Sequence, residues 1–176
     1  PYNTFYTNTN GTLNILEIIR KNKYIKSSII ITSDKCYKNK NFSRGYNETD
    51  ELGGEDPYSA SKAGAEIIFQ SYKKTFFDKE NIAISSVRAG NVIGGGDWSI
   101  DRIVPDFYKC LKSNKELKIR MPNSTRPWQH VLEPLWGYLI LANKQHINPK
   151  KFSGSWNFGP NKSKSVIELV NNLNSK

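Results

Sequence analysis

The sequence predicts an α/β fold: a mostly parallel sheet with flanking helices. Three observations carry this. The run Ser28-Ile29-Ile30-Ile31-Thr32 is short, β-branched and apolar on both faces, as a strand covered by helices on both sides must be. A second run of the same kind, Ile82-Ala83-Ile84-Ser85-Ser86-Val87, follows about fifty residues later. Between and after them lie helical patterns, with connections long enough for crossovers.

Taken in order, Leu13, Ile15, Leu16 and Ile19 predict a helix over Thr9–Arg20, with Asn8 as its cap. Ser28–Thr32 is read as a central strand, and a polar loop runs from Ser33 to Asp56. Asp56-Pro57 supplies a cap and a first-turn proline for a long helix from Tyr58 to about Phe77. After the strand at 82–87, the glycine-rich stretch Ala89–Trp98 reads as a loop. The remainder predicts a helix (Ile103–Leu111), a strand (Leu117–Arg120), a helix (Pro134–Asn143), a strand (Ser155–Phe158) and a helix starting near Ser165. That last helix is cut at Lys176, the first has no strand before it, and the one methionine is Met121. The expectation is a piece of a longer chain.

At 176 residues the chain is about one domain, able to bury roughly two-thirds of its unfolded surface. No apolar run approaches the roughly 20 residues that span a bilayer, and no secretory signal is visible. Cys36 and Cys110 are too few for a disulfide framework, which points to a reducing, cytoplasmic setting. The formal charge is +10, but 20 of the 26 cations are lysines scattered along the chain, and no nucleic-acid-reading motif accompanies them. Neither nucleic acid nor membrane is therefore expected as a partner. His130 and His146 have no companion at metal-ligand spacing, so no metal site is expected.

The constellation that carries chemistry is Ser33-Asp34-Lys35 at a strand end, followed by Tyr58-Ser59-Ala60-Ser61-Lys62 at a helix start. Strand C-termini in parallel sheets direct their loops at the ligand crevice. Tyr58 and Lys62 stand about 6 Å apart along the helix and on nearly one face. A phenol with a pKa of about 10 needs about 4 kcal/mol of help to act as a base near neutrality. An ammonium about 4 Å away supplies about that much at an effective dielectric near 20. Ser33 then holds the hydroxyl whose proton the tyrosine removes. Taken alone, a Tyr-x-x-x-Lys pair is as readily a solvated helix face. Gly94-Gly95-Gly96 lacks the spacing of a phosphate loop and reads as a close backbone approach. The four tryptophans read as packing or pocket wall.

These blocks do not stand alone. Thr7-Asn8-x-x-Gly11-Thr12, the strand ending in Ser33-Asp34, the Tyr58/Lys62 pair and Arg88-x-x-Asn91 resemble the extended short-chain dehydrogenase/reductase family of nucleotide-sugar enzymes. Within it, Thr32–Tyr37, Asp56–Lys62, Arg88–Trp98 and Thr125-Arg126-Pro127-Trp128-Gln129-His130-Val131 are most similar to the 4,6-dehydratase branch that uses CDP-glucose. The resemblance implies a Rossmann-like sheet lacking its N-terminal part, with part of a smaller substrate-binding lobe. Residues 1–100 are expected to hold the C-terminal part of the NAD-binding domain, and 101–176 the partial lobe interleaved with its last elements.

It also implies NAD as cofactor, a nucleotide-diphosphate sugar as substrate and a homodimer in the full-length form. Catalytic roles fall to Ser33, Asp34, Lys35, Tyr58 and Lys62, with Tyr58 and Lys62 also touching the cofactor. Asp34 is the acid for the departing 6-hydroxyl. Lys35 stands where thymidine-diphosphate-sugar relatives carry a glutamate, and either removes the C5 proton or steadies the enolate. Asn91, Arg102 and Arg126 contact the substrate, a guanidinium being suited to a diphosphate. The glycine-rich first turn that anchors NAD in such enzymes is absent, so weak NAD binding and little turnover are expected of this chain by itself. Two alternatives stay open: an epimerase or reductase of the same fold, needing only Ser33, Tyr58 and Lys62, and a non-catalytic basic remnant.

Overall fold

The computed structural model describes residues 1–175; Lys176, where the sequence ends the last predicted helix, lies outside them. Helix α1 (Tyr2–Phe5) runs through a π-helical turn (Tyr6–Asn10) into α2 (Gly11–Lys21), and strand β1 (Ser27–Ile31) leads to a 3-10 turn (Asp34–Cys36). Helix α3 (Pro57–Tyr72) passes through a second π-helical turn (Lys73–Phe77) into α4 (Asp78–Glu80), followed by β2 (Ala83–Ala89) and β3 (Val92–Ile93). Then come α5 (Ile103–Lys112), β4 (Thr125–Arg126), β5 (Gln129–His130), α6 (Leu132–Ile147), α7 (Pro149–Phe152), β6 (Gly154–Phe158), β7 (Lys164–Ser165) and α8 (Val166–Asn174).

The chain divides into two compact units, each made of two stretches of sequence. One comprises 1–89 with 134–158; the other comprises 90–133 with the segment from Gly159 onward. In the first, β1, β2 and β6 form one parallel sheet in the order β1-β2-β6, with Ile31 paired to Val87 and Val87 to Trp156. Alternation along β2 divides its side chains between two helical layers. Ile84 joins Leu16, Ile19, Ile30, Phe69 and Phe77 in a core under α2 and α3. Val87 turns the other way, to Tyr138 and Leu141 of α6. Each large apolar side chain fully buried in this way contributes about 1.5–3 kcal/mol.

Both faces of the sheet also bury polar groups, each with partners. Under α6, Gln145 accepts from Ser85 Oγ (2.5 Å) and donates to Ser27 Oγ (2.8 Å) and Ser28 O (2.9 Å). Under α3, Glu66 and Arg88 form an ion pair at 2.6 Å with both side chains at 0% exposure. Glu66 also accepts from Thr32 Oγ1 (2.5 Å), Ser86 Oγ (2.9 Å) and Ser155 Oγ (3.3 Å). Burial alone would lower the Arg88 pKa, but the hydrogen bond and charge of Glu66 outweigh it and hold the guanidinium above its ordinary value.

Asp56 caps α3 as the sequence predicts, accepting from the amides of Tyr58 (2.9 Å) and Ser59 (3.0 Å), with Pro57 in the first turn. Elsewhere the structure corrects the sequence. Asn8 is no cap, because the helical backbone begins at Tyr2; its side chain instead donates to Ser61 Oγ of α3 at 2.9 Å. Ser28–Thr32 was expected in the middle of the sheet, yet among the described residues β1 lies at one end, with Ile31 58% exposed, and β2 is central. Leu117–Arg120 forms no strand: alternation there is local, and a strand needs a ladder partner that local pattern cannot supply. The stretch 89–98 is not all loop, since β3 pairs with β5. Trp98 and Trp136 are exposed rather than packed, at 63% and 67%.

Replacing Arg88 by Met alone is expected to cost about 3–5 kcal/mol in urea unfolding, because Glu66 is left charged and buried. Combining it with Glu66→Leu should recover most of that loss; simple additivity in the double-mutant cycle would contradict the pairing. Glu17, which ties α2 to α3 by accepting from Tyr72 Oη at 2.9 Å, has its pKa lowered from 4.5 to about 2, first by its hydrogen bond from Arg20 and then by that from Tyr72. A depressed carboxylate contributes stability that is fully present above its unfolded pKa and is lost as pH falls through its folded one. Glu17→Gln should therefore flatten the stability profile between pH 4.5 and 2.

Candidate active site

The site begins where β1 leaves the sheet. Thr32 N still donates to Val87 O (2.9 Å), which keeps the chain in register with β2 for one more residue. Ser33 then takes an extended conformation and caps the 3-10 turn, its Oγ accepting from Lys35 N at 3.2 Å. The turn is closed by Cys36 N donating to Ser33 O (3.2 Å) and held from outside by Gly53 N donating to Cys36 O (2.8 Å). Cys36 is fully buried in a cluster with Tyr37 and Ala63, the residue after Lys62, and burial pushes its thiol up to about 12. It is a packing anchor that docks the turn on α3, not a nucleophile. Gly54 completes the fit: a Cβ there would stand 2.4 Å from Ala60 N, so the loop can lie this close to α3 only as glycine.

Helix α3 thus lies against the turn carrying Ser33, Asp34 and Lys35. At its N-terminal end Tyr58 is 46% exposed, and Lys62 Nζ sits over the Tyr58 ring at 5.9 Å from the centroid. Among the described residues, neither the phenol hydroxyl nor the ammonium has a hydrogen-bond or ion-pair partner. Burial depresses the pKa of Lys62, and the charge of Glu66 one turn along the helix opposes that. The Ser33 hydroxyl donates to Asp34 Oδ1 at 3.2 Å, and no hydrogen bond joins Ser33 to Tyr58. Lys35 is exposed. Its charge is felt at Asp56, whose pKa is lowered first by hydrogen bonds from Ser59 and, more weakly, by Lys35.

Asn91, Arg102 and Arg126 belong to the second unit. There, Gln129 N donates to Asn91 O (3.1 Å) and Val131 N to Ile93 O (2.9 Å), so the Arg88–Trp98 and Thr125–Val131 blocks are partner strands. Gly94 permits their approach: a Cβ would meet Val131 Cγ1 at 2.6 Å. Arg126 lies on β4, opposite Lys164 of β7, with Nη1 donating to Thr125 O at 2.8 Å. Arg102 is exposed at the start of α5, where its charge contributes to a lowered Asp97 pKa set mainly by hydrogen bonds from Ser99.

Sequence reasoning passed over Glu66 and Thr32. A signal existed: Glu66 is an acid among the buried positions Ala63, Ala65 and Phe69, and Arg88 is a cation inside a fully buried strand. Charges in such places require each other.

Residues 1–154 match the NAD dependent epimerase/dehydratase family. The chain is similar to the CDP-glucose 4,6-dehydratase of Salmonella typhimurium, at 47% identity, the match covering 97% of this chain and 49% of that protein. It is 30% identical to the dTDP-D-glucose 4,6-dehydratase of Dictyostelium discoideum, over 78% of this chain and 33% of that one. In fold it is similar to the dTDP-glucose 4,6-dehydratase of Bacillus anthracis, solved in complex with NAD, with a TM-score of 0.82, 23% identity, and 97% and 52% of the two chains covered. The chain spans about half the length of the Salmonella relative. With the fold, the four motif blocks and the family match in agreement, the chain belongs to the NAD dependent epimerase/dehydratase family.

Proposed function

We propose that this chain carries the proton-transfer machinery of an NAD-dependent nucleotide-sugar 4,6-dehydratase, a lyase that converts CDP-glucose to CDP-4-keto-6-deoxyglucose. What supports it most is the docking of the Asp34–Cys36 turn on α3, beside the Tyr58–Lys62 pair. The 47% identity to a CDP-glucose enzyme supports the choice of substrate. The donor set fits NAD: Lys62 offers three N–H donors beside a free phenol, the chemistry that holds a ribose diol. Tyr58 and Lys62 would be the residues that hold it. When bound, NAD supplies reversible storage of a hydride taken from sugar C4 and returned at C6.

In this reading Tyr58 removes the proton of the sugar 4-hydroxyl while Ser33 hydrogen-bonds that oxygen, with the Lys62 ammonium beside the Tyr58 ring. The ketone formed at C4 acidifies the C5 proton. Lys35 takes that proton or holds the enolate, and Asp34 protonates the departing 6-hydroxyl. Asn91, Arg102 and Arg126 are the proposed contacts to the nucleotide sugar, the arginines being suited to its diphosphate. The working form is a cytoplasmic homodimer assembled through α3, whose Ile67 is 57% exposed. Among the described residues no helix is long and apolar enough to cross a membrane.

The test measures loss of water from CDP-glucose by mass spectrometry, with NAD added. It uses this chain and also a chimera in which it replaces the matching half of the Salmonella relative. Release of the 4-keto-6-deoxy product is expected from the chimera, with little from this chain alone; an epimerised sugar of unchanged mass, or no product from either protein, would overturn the reading. Tyr58→Phe should lower turnover by about 100- to 10,000-fold without unfolding the protein. Lys35→Ala should abolish water loss while Lys35→Glu keeps part of it, and unchanged turnover in the alanine variant would remove Lys35 from the mechanism.

A further inference from the structure

We propose that Glu66 is a positioning residue for this site: its buried carboxylate, bound from Thr32 after β1 and from Ser86 and Arg88 on β2, sets where Ser33 stands relative to Tyr58 and Lys62. The inference rests on the catalytic reading above. Helix α3 meets β1 and β2 largely through Phe69, Ile30 and Ile84, and apolar contacts of that kind have no direction and fix no register. The directional bonds between helix and strands converge instead on the one carboxylate: Thr32 at 2.5 Å on Oε1, and Ser86 at 2.9 Å and Arg88 at 2.6 Å on Oε2.

The two ends of this clamp are the site itself. Thr32 is the residue before Ser33, and Glu66 lies one turn beyond Lys62 and two beyond Tyr58 on the same stripe of α3. With 0% exposure, the carboxylate has no water to exchange for a lost bond, so moving the strand end along the helix would leave a charge unsatisfied. The opposing effect of Glu66 on the desolvated Lys62 ammonium supports the same assignment.

Thr32→Val deletes one bond of the clamp and leaves the Glu66–Arg88 pair intact. Hydrogen exchange on this chain should then show the Lys35 and Cys36 amides opening about tenfold faster, the size of one hydrogen bond's net contribution. The amides of Ile84 and Val87 should keep their rates. Thr32→Ser, which keeps the hydroxyl, should restore the wild-type pattern. Ser86→Ala cuts a different bond to the same carboxylate and should speed the same two amides, which covers the case in which Thr32→Val fails to fold. Wild-type exchange at Lys35 and Cys36 in the folded variants, or failure of Thr32→Ser to restore it, would overturn the proposal. In whichever protein turns over CDP-glucose, Thr32→Val should lower kcat by up to about 100-fold with KM nearly unchanged; a change in KM alone would also overturn it. Absence of turnover in the unsubstituted proteins counts against the dehydratase reading, and the exchange rates still decide the role of Glu66.

Discussion

The first unit is organised around one buried ion pair. Taking a carboxylate and a guanidinium out of water costs several kcal/mol per ion, and their mutual attraction offsets this only when the remaining lone pairs and protons are also satisfied. Glu66 and Arg88 meet most of that demand by drawing on every element near them. Thr32, Ser86 and Ser155 serve the carboxylate from three neighbouring segments of the sheet. Arg88 reaches outward, donating to Tyr37 Oη at 2.7 Å and to the Glu48 carbonyl at 3.1 Å; its Nε has no partner among the described residues.

That outward reach explains why a long polar loop holds one shape. Tyr37 passes the network on by donating to Asn157 at 2.7 Å, and Asn157 in turn donates to the Tyr46 carbonyl and, through its amide, to the Glu48 carboxylate, both at 2.8 Å. Tyr37 and Tyr46 stack at 5.1 Å between ring centroids. The segment after Ser33 is therefore bonded to β2, β6 and itself, and the Asp34–Cys36 turn inherits that rigidity. Two side chains project from this frame: Tyr58 and Lys35 are exposed, while Cys36 and Ala63 behind them are buried. Such a division suits a site that must meet a ligand without moving its scaffold.

The second unit shows a different use of motif residues. The Arg88–Trp98 and Thr125–Val131 blocks contain residues that look like ligand contacts when read singly, but part of their content is backbone pairing. Gly94 is glycine because Val131 occupies the space beside it, and Asn91 and Gln129 meet through main-chain atoms. In the same way, Asn8 and Thr9 hold α3 by bonds to Ser61, a role that a helix-cap reading of Asn8 could not anticipate.

What the sequence determined by itself is what depends on neighbours in the chain. The Asp56-Pro57 helix start, a last helix starting near Ser165, the apolar strands and the four-residue spacing of Tyr58 and Lys62 are local, and local rules of capping and periodicity read them correctly. The family was legible for the same reason, since its motifs are short contiguous blocks. Only the tertiary structure decided which strand is central, that Leu117–Arg120 finds no ladder, that β3 and β5 pair, and that Glu66 and Arg88, 22 residues apart, share one buried bond. Each of those depends on what stands opposite in space, and a one-dimensional pattern records a side chain's appetite for a partner without recording the partner's address.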